Sequence, residues 1–166
     1  MFVAVDVDYG PADAHAAAVL FADWADSNAS ATTTALIADV EPYVPGSFYR
    51  RELPCLLDIL QPLAGRFHTV VVDGHVWLGP GHTRPGLGAY LYDALARAIP
   101  VIGVAKNHFA GNQAIEVYRG QSRRPLYVTA VGTAQAAAAT AVGAMHGAHR
   151  IPTLLKQVDR LARQRS

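Results

Sequence analysis

Two short stretches constrain the fold most. "FHTVVVDG" (67–74) holds an unbroken valine run before a closing Asp-Gly, and "PVIGVAK" (100–106) is apolar up to its final lysine. Runs of this length read as strands, and their lack of alternation means that both faces are covered. A sheet covered on both faces needs helices, and the sequence offers them. "RRELPCLLDILQPL" (50–63) carries an apolar stripe at Leu53, Leu56, Leu57 and Leu60, with Pro54 fitting only in its first turn. "AYLYDALARAI" (89–99) reads as a second helix, and two more are expected over roughly 133–146 and 152–164. The alanine-rich stretch 134–144 suits a small-residue helix lying close on a sheet.

The first part of the chain has a different pattern. "FVAVDVD" (2–8) alternates valine and aspartate, which gives a strand with one polar face. "HAAAVLFADW" (15–24) and "ATTTALIADV" (31–40) follow, separated by the turn residues "DSNAS", so an antiparallel meander is expected. "AIEVYRG" (114–120) and "PLYVTAV" (125–131) read as a late hairpin. Three early strands followed by alternating helix and strand predict an α/β fold with a mixed sheet, as one domain over 1–166.

Composition narrows the classes. The 166 residues are 51% hydrophobic, which argues against disorder. Fourteen basic residues nearly balance 13 acidic ones; a net charge of +1 gives no strong nucleic-acid footprint and leaves room for a local basic face. Cys55 is the single cysteine, so no internal disulfide forms, which fits a reducing cytoplasm. Met1 leads straight into a strand with no visible signal peptide, and no apolar run suits a bilayer span, so no membrane partner is expected. The seven histidines lack zinc-ligand spacing, and "GPGHTRPGLG" lacks the Lys-Ser/Thr of a P-loop.

Asp6 and Asp73 stand out because each interrupts or ends a strand that otherwise reads as buried. A carboxylate there is costly unless it is paired or bound to a metal. Either one alone also suits a turn or helix cap. Together, on neighbouring strands, they can share a hard cation such as Mg²⁺. Glu52 alone reads as a solvated residue in a helix's first turn, where the helix dipole favours it. Asp159, beside Lys156 and Arg163 in "LLKQVDRLARQ", reads alone as a surface ion-pairing residue. Arg119, Arg123 and Arg124 in "YRGQSRRP" read as a solvated turn or as phosphate contacts.

Taken in order, "VDVDYG", "PYVPGSFYRRE", "VVVDGH", "PVIGVAK" and "HRIPTLLKQVD" resemble the endonuclease V family. The family's proline-tyrosine loop, Gly, aromatics and Arg-Glu run without a gap from Pro42 to Glu52. Its Asp-Gly stands at Asp73 and Gly74, its Gly-Val-Ala-Lys at 103–106, and its closing Arg-hydrophobic-Pro and carboxylate at Arg150, Pro152 and Asp159. The resemblance implies a ribonuclease H-like fold and a metal-dependent endonuclease. It implies Mg²⁺, with Mn²⁺ as a possible substitute, held by Asp6, Glu52, Asp73 and Asp159, and Lys106 facing the active-site phosphate. The implied reaction cuts DNA or RNA one nucleotide 3′ of an inosine, leaving a 3′-hydroxyl and a 5′-phosphate, in repair or processing.

The same resemblance makes the loop Pro42, Tyr43, Val44, Pro45 and Gly46 a wedge at the altered base. The prolines limit the loop's freedom, so Tyr43 can fill the gap left by a displaced base at low entropic cost. His82 and Arg84 stand for a family His and Arg in a loop that is longer here, and Thr133 occupies a later family His position. With those loops altered, the alternative reading is a non-catalytic or differently specific nucleic-acid-binding relative.

Overall fold

The computed structural model describes residues 1–164. Its centre is one seven-stranded mixed sheet, with strand order β3-β2-β1-β4-β5-β7-β6. β1 (Phe2–Tyr9), β2 (Ala14–Phe21) and β3 (Ala31–Ile37) form the expected antiparallel meander. β4 (Thr69–Asp73) joins β1 in parallel, and β5 (Val101–Ala105) joins β4 in parallel. β6 (Ile115–Val117) and β7 (Leu126–Val131) form the late hairpin, with β7 antiparallel to β5. Four helices complete the order: α1 (Phe48–Leu60), α2 (Leu87–Ala94), α3 (Gln135–Gly143) and α4 (Thr153–Arg163). No described helix is long and apolar enough to cross a membrane.

The apolar runs of β4 and β5 are covered on both faces, as their composition requires. Val70 and Val72 face a core shared with Leu56, Ile59 and Leu60 of α1 and Leu91 of α2. Val71, Ile102 and Val104 face the other core, with Ala138 and Val142 of α3 and Leu154 and Val158 of α4. The alanine helix α3 lies on β7 and β6, where its short side chains permit close approach.

Helix α1 corrects one expectation. Its start is at Phe48, so Pro54 lies in the helix interior and not in the first turn. An interior proline costs about 3 kcal/mol through its missing N–H and ring clash. Pro54 sits on the exposed side, where water can replace the missing bond. The opposite side buries Glu52, Cys55, Leu56, Ile59 and Leu60. Each fully buried Leu or Ile returns roughly 1.5–3 kcal/mol, so that stripe outweighs the proline. Cys55 is buried in it, as a small apolar residue would be.

Gly103 explains why β5 must carry a glycine under the site. A Cβ there would lie 2.5 Å from the Gly74 carbonyl oxygen and 2.9 Å from Thr129 Oγ1. The chain leaving β4 crosses directly over this position, and Thr129 Oγ1 accepts the Val76 N–H there at 2.8 Å.

Candidate active site

The parallel register sets the first two carboxylates side by side. Val5 pairs with Val72, so Asp6 and Asp73 are the next residues up on adjacent strands. Alternation puts them on the same face as Ala4 and Val71, the face covered by α4. α4 adds Asp159, next to the buried Val158. Lys106, just past the end of β5, donates from Nζ to Asp73 Oδ2 at 3.2 Å. These four residues line a small cleft, whose apolar wall includes Ile151, Pro152 and Leu155.

Glu52 arrives from α1 and is 5% exposed. Its Oε2 is buried without a hydrogen-bond partner. Burial, then the charges of Asp6 and Asp73, push its carboxyl up to about 8. Asp6 is likewise pushed up to about 7, by burial first and the Asp73 charge next, with Asp159 adding to the effect. The N–H of Val7, bonded to Asp6 Oδ1 at 2.9 Å, opposes this only in part. The charges of Asp73 and Asp159 thus act on Asp6, and those of Asp6 and Asp73 act on Glu52. Among the described residues, no group of three or more His, Cys, Asp or Glu side chains is arranged to hold a metal ion. Asp73 is turned to Lys106, and Asp159 is bonded to Arg163 at 3.1 Å.

The proline-tyrosine loop is built as its composition suggests. Ser47 N–H donates to the Val44 carbonyl at 3.0 Å, and Gly46 takes φ +78°. With Pro45 before Gly46, this fits a type II turn, in which glycine avoids the strain of positive φ. Tyr43 is 57% exposed and meets the Phe48 ring edge-on at 6.4 Å. Phe48 in turn meets Tyr9 at 6.5 Å. Pro42 and Tyr43 border a groove that also includes Arg51, the residue before Glu52.

The other sequence-derived candidates are placed differently. His82 stacks on Trp77 at 5.2 Å, with its backbone at φ +57°. Arg84 lies over the Phe109 ring at 5.8 Å, and Phe109 also contacts His75. Arg119 is not a phosphate contact. It is 5% exposed, and its guanidinium donates to the carbonyls of Val142, Gly143, Met145, Gly147, His149 and Arg150. It ties down the end of α3 and the loop leading to α4.

Three supporting residues escaped a reading by motif role. Arg150 donates to the carbonyls of Lys106 and Pro125, which fixes the backbone that presents the Lys106 ammonium. Arg51 lies over the Tyr9 ring at 4.0 Å, beside Glu52. Tyr9 Oη and Arg51 Nε are buried without partners, like Glu52 Oε2. Their signal in the sequence is their place in the motifs: Tyr9 in "VDVDYG", Arg51 before Glu52, and Arg150 two residues before Pro152.

The endonuclease V family model matches residues 1–142 of this chain. Endonuclease V of Rhodospirillum centenum is 41% identical over 112 residues, covering 66% of this chain and 45% of that protein. The chain spans less than half the length of the curated relatives it matches. Among solved structures, endonuclease V from Streptomyces avermitilis is 26% identical with a TM-score of 0.75, covering 98% of this chain and 79% of that one. Endonuclease V of Ciona intestinalis, solved with a 24mer DNA containing an inosine followed by a ribo-adenosine, shares the fold. It has a TM-score of 0.79 at 20% identity, and the match covers 98% of this chain and 83% of that one. The architecture is thus ribonuclease H-like, and the family model's match over most of its length shows that the chain belongs to the endonuclease V family.

Proposed function

We propose that this chain is a metal-dependent endonuclease that hydrolyses a phosphodiester beside an inosine in DNA or RNA. The observation that carries the reading is the cleft lined by Asp6, Asp73, Asp159 and Lys106, with the buried Glu52 under the charges of Asp6 and Asp73. Such a group is unfavourable by itself, since Asp6 and Glu52 take up protons far above the usual carboxylate range. The donor set is all oxygen, and Glu52 Oε2 has no partner within the protein. Both features fit a hard divalent ion such as Mg²⁺. Asp6, Glu52, Asp73 and Asp159 would hold it, after Asp73 and Asp159 turn from their present cationic partners. When bound, the ion supplies Lewis acidity toward the phosphate and a water of lowered pKa.

The protein's own groups complete the chemistry. Lys106 would move from Asp73 to a phosphate oxygen and offset the charge that develops there. Arg150 keeps the Lys106 backbone fixed during that change. Water attacks phosphorus, the bond from phosphorus to the 3′-oxygen breaks, and a proton passes to that oxygen. A 5′-phosphate and a 3′-hydroxyl result. Tyr43, on its turn-stiffened loop, would fill the gap left by the displaced base. The Ciona intestinalis relative in complex with inosine-containing DNA supports this substrate class.

A second reading keeps nucleic-acid binding without cleavage. It is favoured by the absence, among the described residues, of a group already arranged to hold an ion. Cleavage of end-labelled inosine-containing and plain strands, with Mg²⁺ or with a chelator, separates the two. Metal-dependent cutting of the inosine strand supports the endonuclease. Binding without cutting under all conditions supports the second reading.

A further inference from the structure

Helices α1 and α2 carry a second cluster, which begins three residues before Glu52. Tyr49, in the first turn of α1, stacks on Tyr90 of α2 with centroids 3.7 Å apart and planes 12° from parallel. Arg50 Nε donates to Tyr49 Oη at 3.3 Å. Arg84 lies in the loop that enters α2, two residues before the N-cap Gly86, whose carbonyl accepts the Tyr90 N–H at 3.2 Å. Arg84 extends the cluster to Phe109, three residues past Lys106. Arg50 and Arg84 are exposed. Among the described residues the ion pairs are Arg97–Asp93, Lys106–Asp73 and Arg163–Asp159, so neither guanidinium is in a close ion pair, although the Glu41 charge acts on Arg50.

We infer that this cluster is a binding track for a single-stranded flank of the substrate, with Arg50 and Arg84 on two successive phosphates and the ring faces beside unstacked bases. The inference rests on the reading that the chain acts on nucleic acid. It adds where the strand runs outside the carboxylate cleft and which form of strand it is. Exposed guanidiniums set beside aromatic rings suit a flexible strand, because every base has a π-face and every phosphate a charge. A duplex keeps its bases stacked and gains only the phosphate contacts. The net charge of the chain is only +1, so a local cluster of this kind must supply the electrostatic grip.

The test is equilibrium binding of a plain fluorescent 20-mer single strand, without metal, over a salt series, with a duplex of the same sequence as competitor. Each phosphate contact to a single strand contributes about 0.7 to the slope of log K against log salt. The double variant Arg50→Gln/Arg84→Gln, which changes exposed residues only, should lower that slope by about 1.4. Tyr49→Leu/Tyr90→Leu should weaken binding about tenfold with the slope unchanged. Single strand should compete better than duplex against the parent, and that advantage should shrink in the tyrosine variant. An unchanged slope in the arginine variant overturns the track while leaving the endonuclease reading intact. Equal loss of duplex and single strand in both variants overturns the choice of a single strand. A parent that binds neither plain single strand nor duplex overturns the track, while the endonuclease reading stands or falls on cleavage of the inosine-containing strand with Mg²⁺.

Discussion

Lys106 Nζ and Asp73 Oδ2 lie 3.2 Å apart, joining the ends of two parallel central strands at the mouth of the cleft. The pair is about two-fifths exposed on each side, so screening leaves it little value for stability. Its significance is positional, since it places a cation beside the carboxylate that ends β4. Asp73→Asn removes the charge with almost no change of volume. Turnover should fall by at least about a hundredfold, the effect of losing a required acid–base or charged group, with the melting temperature nearly unchanged. Parent-like cleavage by a folded variant would remove Asp73 from the catalytic set.

The coupled carboxylates also set a pH dependence. In the metal-free protein Asp6 and Glu52 have pKa values of about 7 and about 8, above their unfolded values. Between about pH 4 and 8 the folded state holds protons that the unfolded state has released, so stability falls as pH rises through this window. The loss should be on the order of a few kcal/mol. Denaturant unfolding in chelator at about pH 5 and about pH 8.5 measures it. Glu52→Gln should flatten the dependence, and Mg²⁺ should restore stability at the high-pH end. A parent and a Glu52→Gln variant with identical profiles would mean that Glu52 does not carry this burden.

Tyr43 is placed for specificity and not for stability. With more than half its surface exposed, Tyr43→Ala should leave the fold intact. Stacking on a base is worth roughly 1–3 kcal/mol, so discrimination between inosine-containing and plain strands should drop by about ten- to a hundredfold. The ratio of the two cleavage rates at fixed salt is the measurement. An unchanged ratio makes Tyr43 a surface residue without that role.

Gly103→Ala tests the architecture below the site. Its Cβ would lie within 3.0 Å of Gly74 O, Thr129 Oγ1 and Val76 N, two of them backbone atoms that cannot turn away. Destabilisation of about 3 kcal/mol or more is expected, with displacement of Asp73 and loss of cleavage. A variant as stable and active as the parent would mean that the turn after β4 adapts freely.

How far the sequence reveals this site depends on how local each cause is. The valines around Asp6 and before Asp73 betray their strands, because a strand packed against a core is built mostly of apolar β-branched residues. Their adjacency follows from the topology, which the order of motifs implied. Pro54 was misplaced because tertiary burial of Leu56, Ile59 and Leu60 overrides a local preference. Arg119 was read as a solvated turn because its partners are carbonyls 23 to 31 residues away, and a carbonyl leaves no mark in a sequence. The orphaned Tyr9 and Arg51 atoms were equally invisible, since burial of a polar atom depends on the complete fold.

The central claim is that Asp6, Glu52, Asp73 and Asp159 act together as one metal centre. Titration of the chelator-treated protein with Mn²⁺, followed by electron paramagnetic resonance of the free ion, tests it without nucleic acid or turnover. Saturable binding by the parent, weakened at least about tenfold in Asp6→Asn and in Asp73→Asn while both stay folded, is the predicted result, since each variant removes one ligand charge. A parent that takes up no ion, or variants that bind as tightly as the parent, would contradict it.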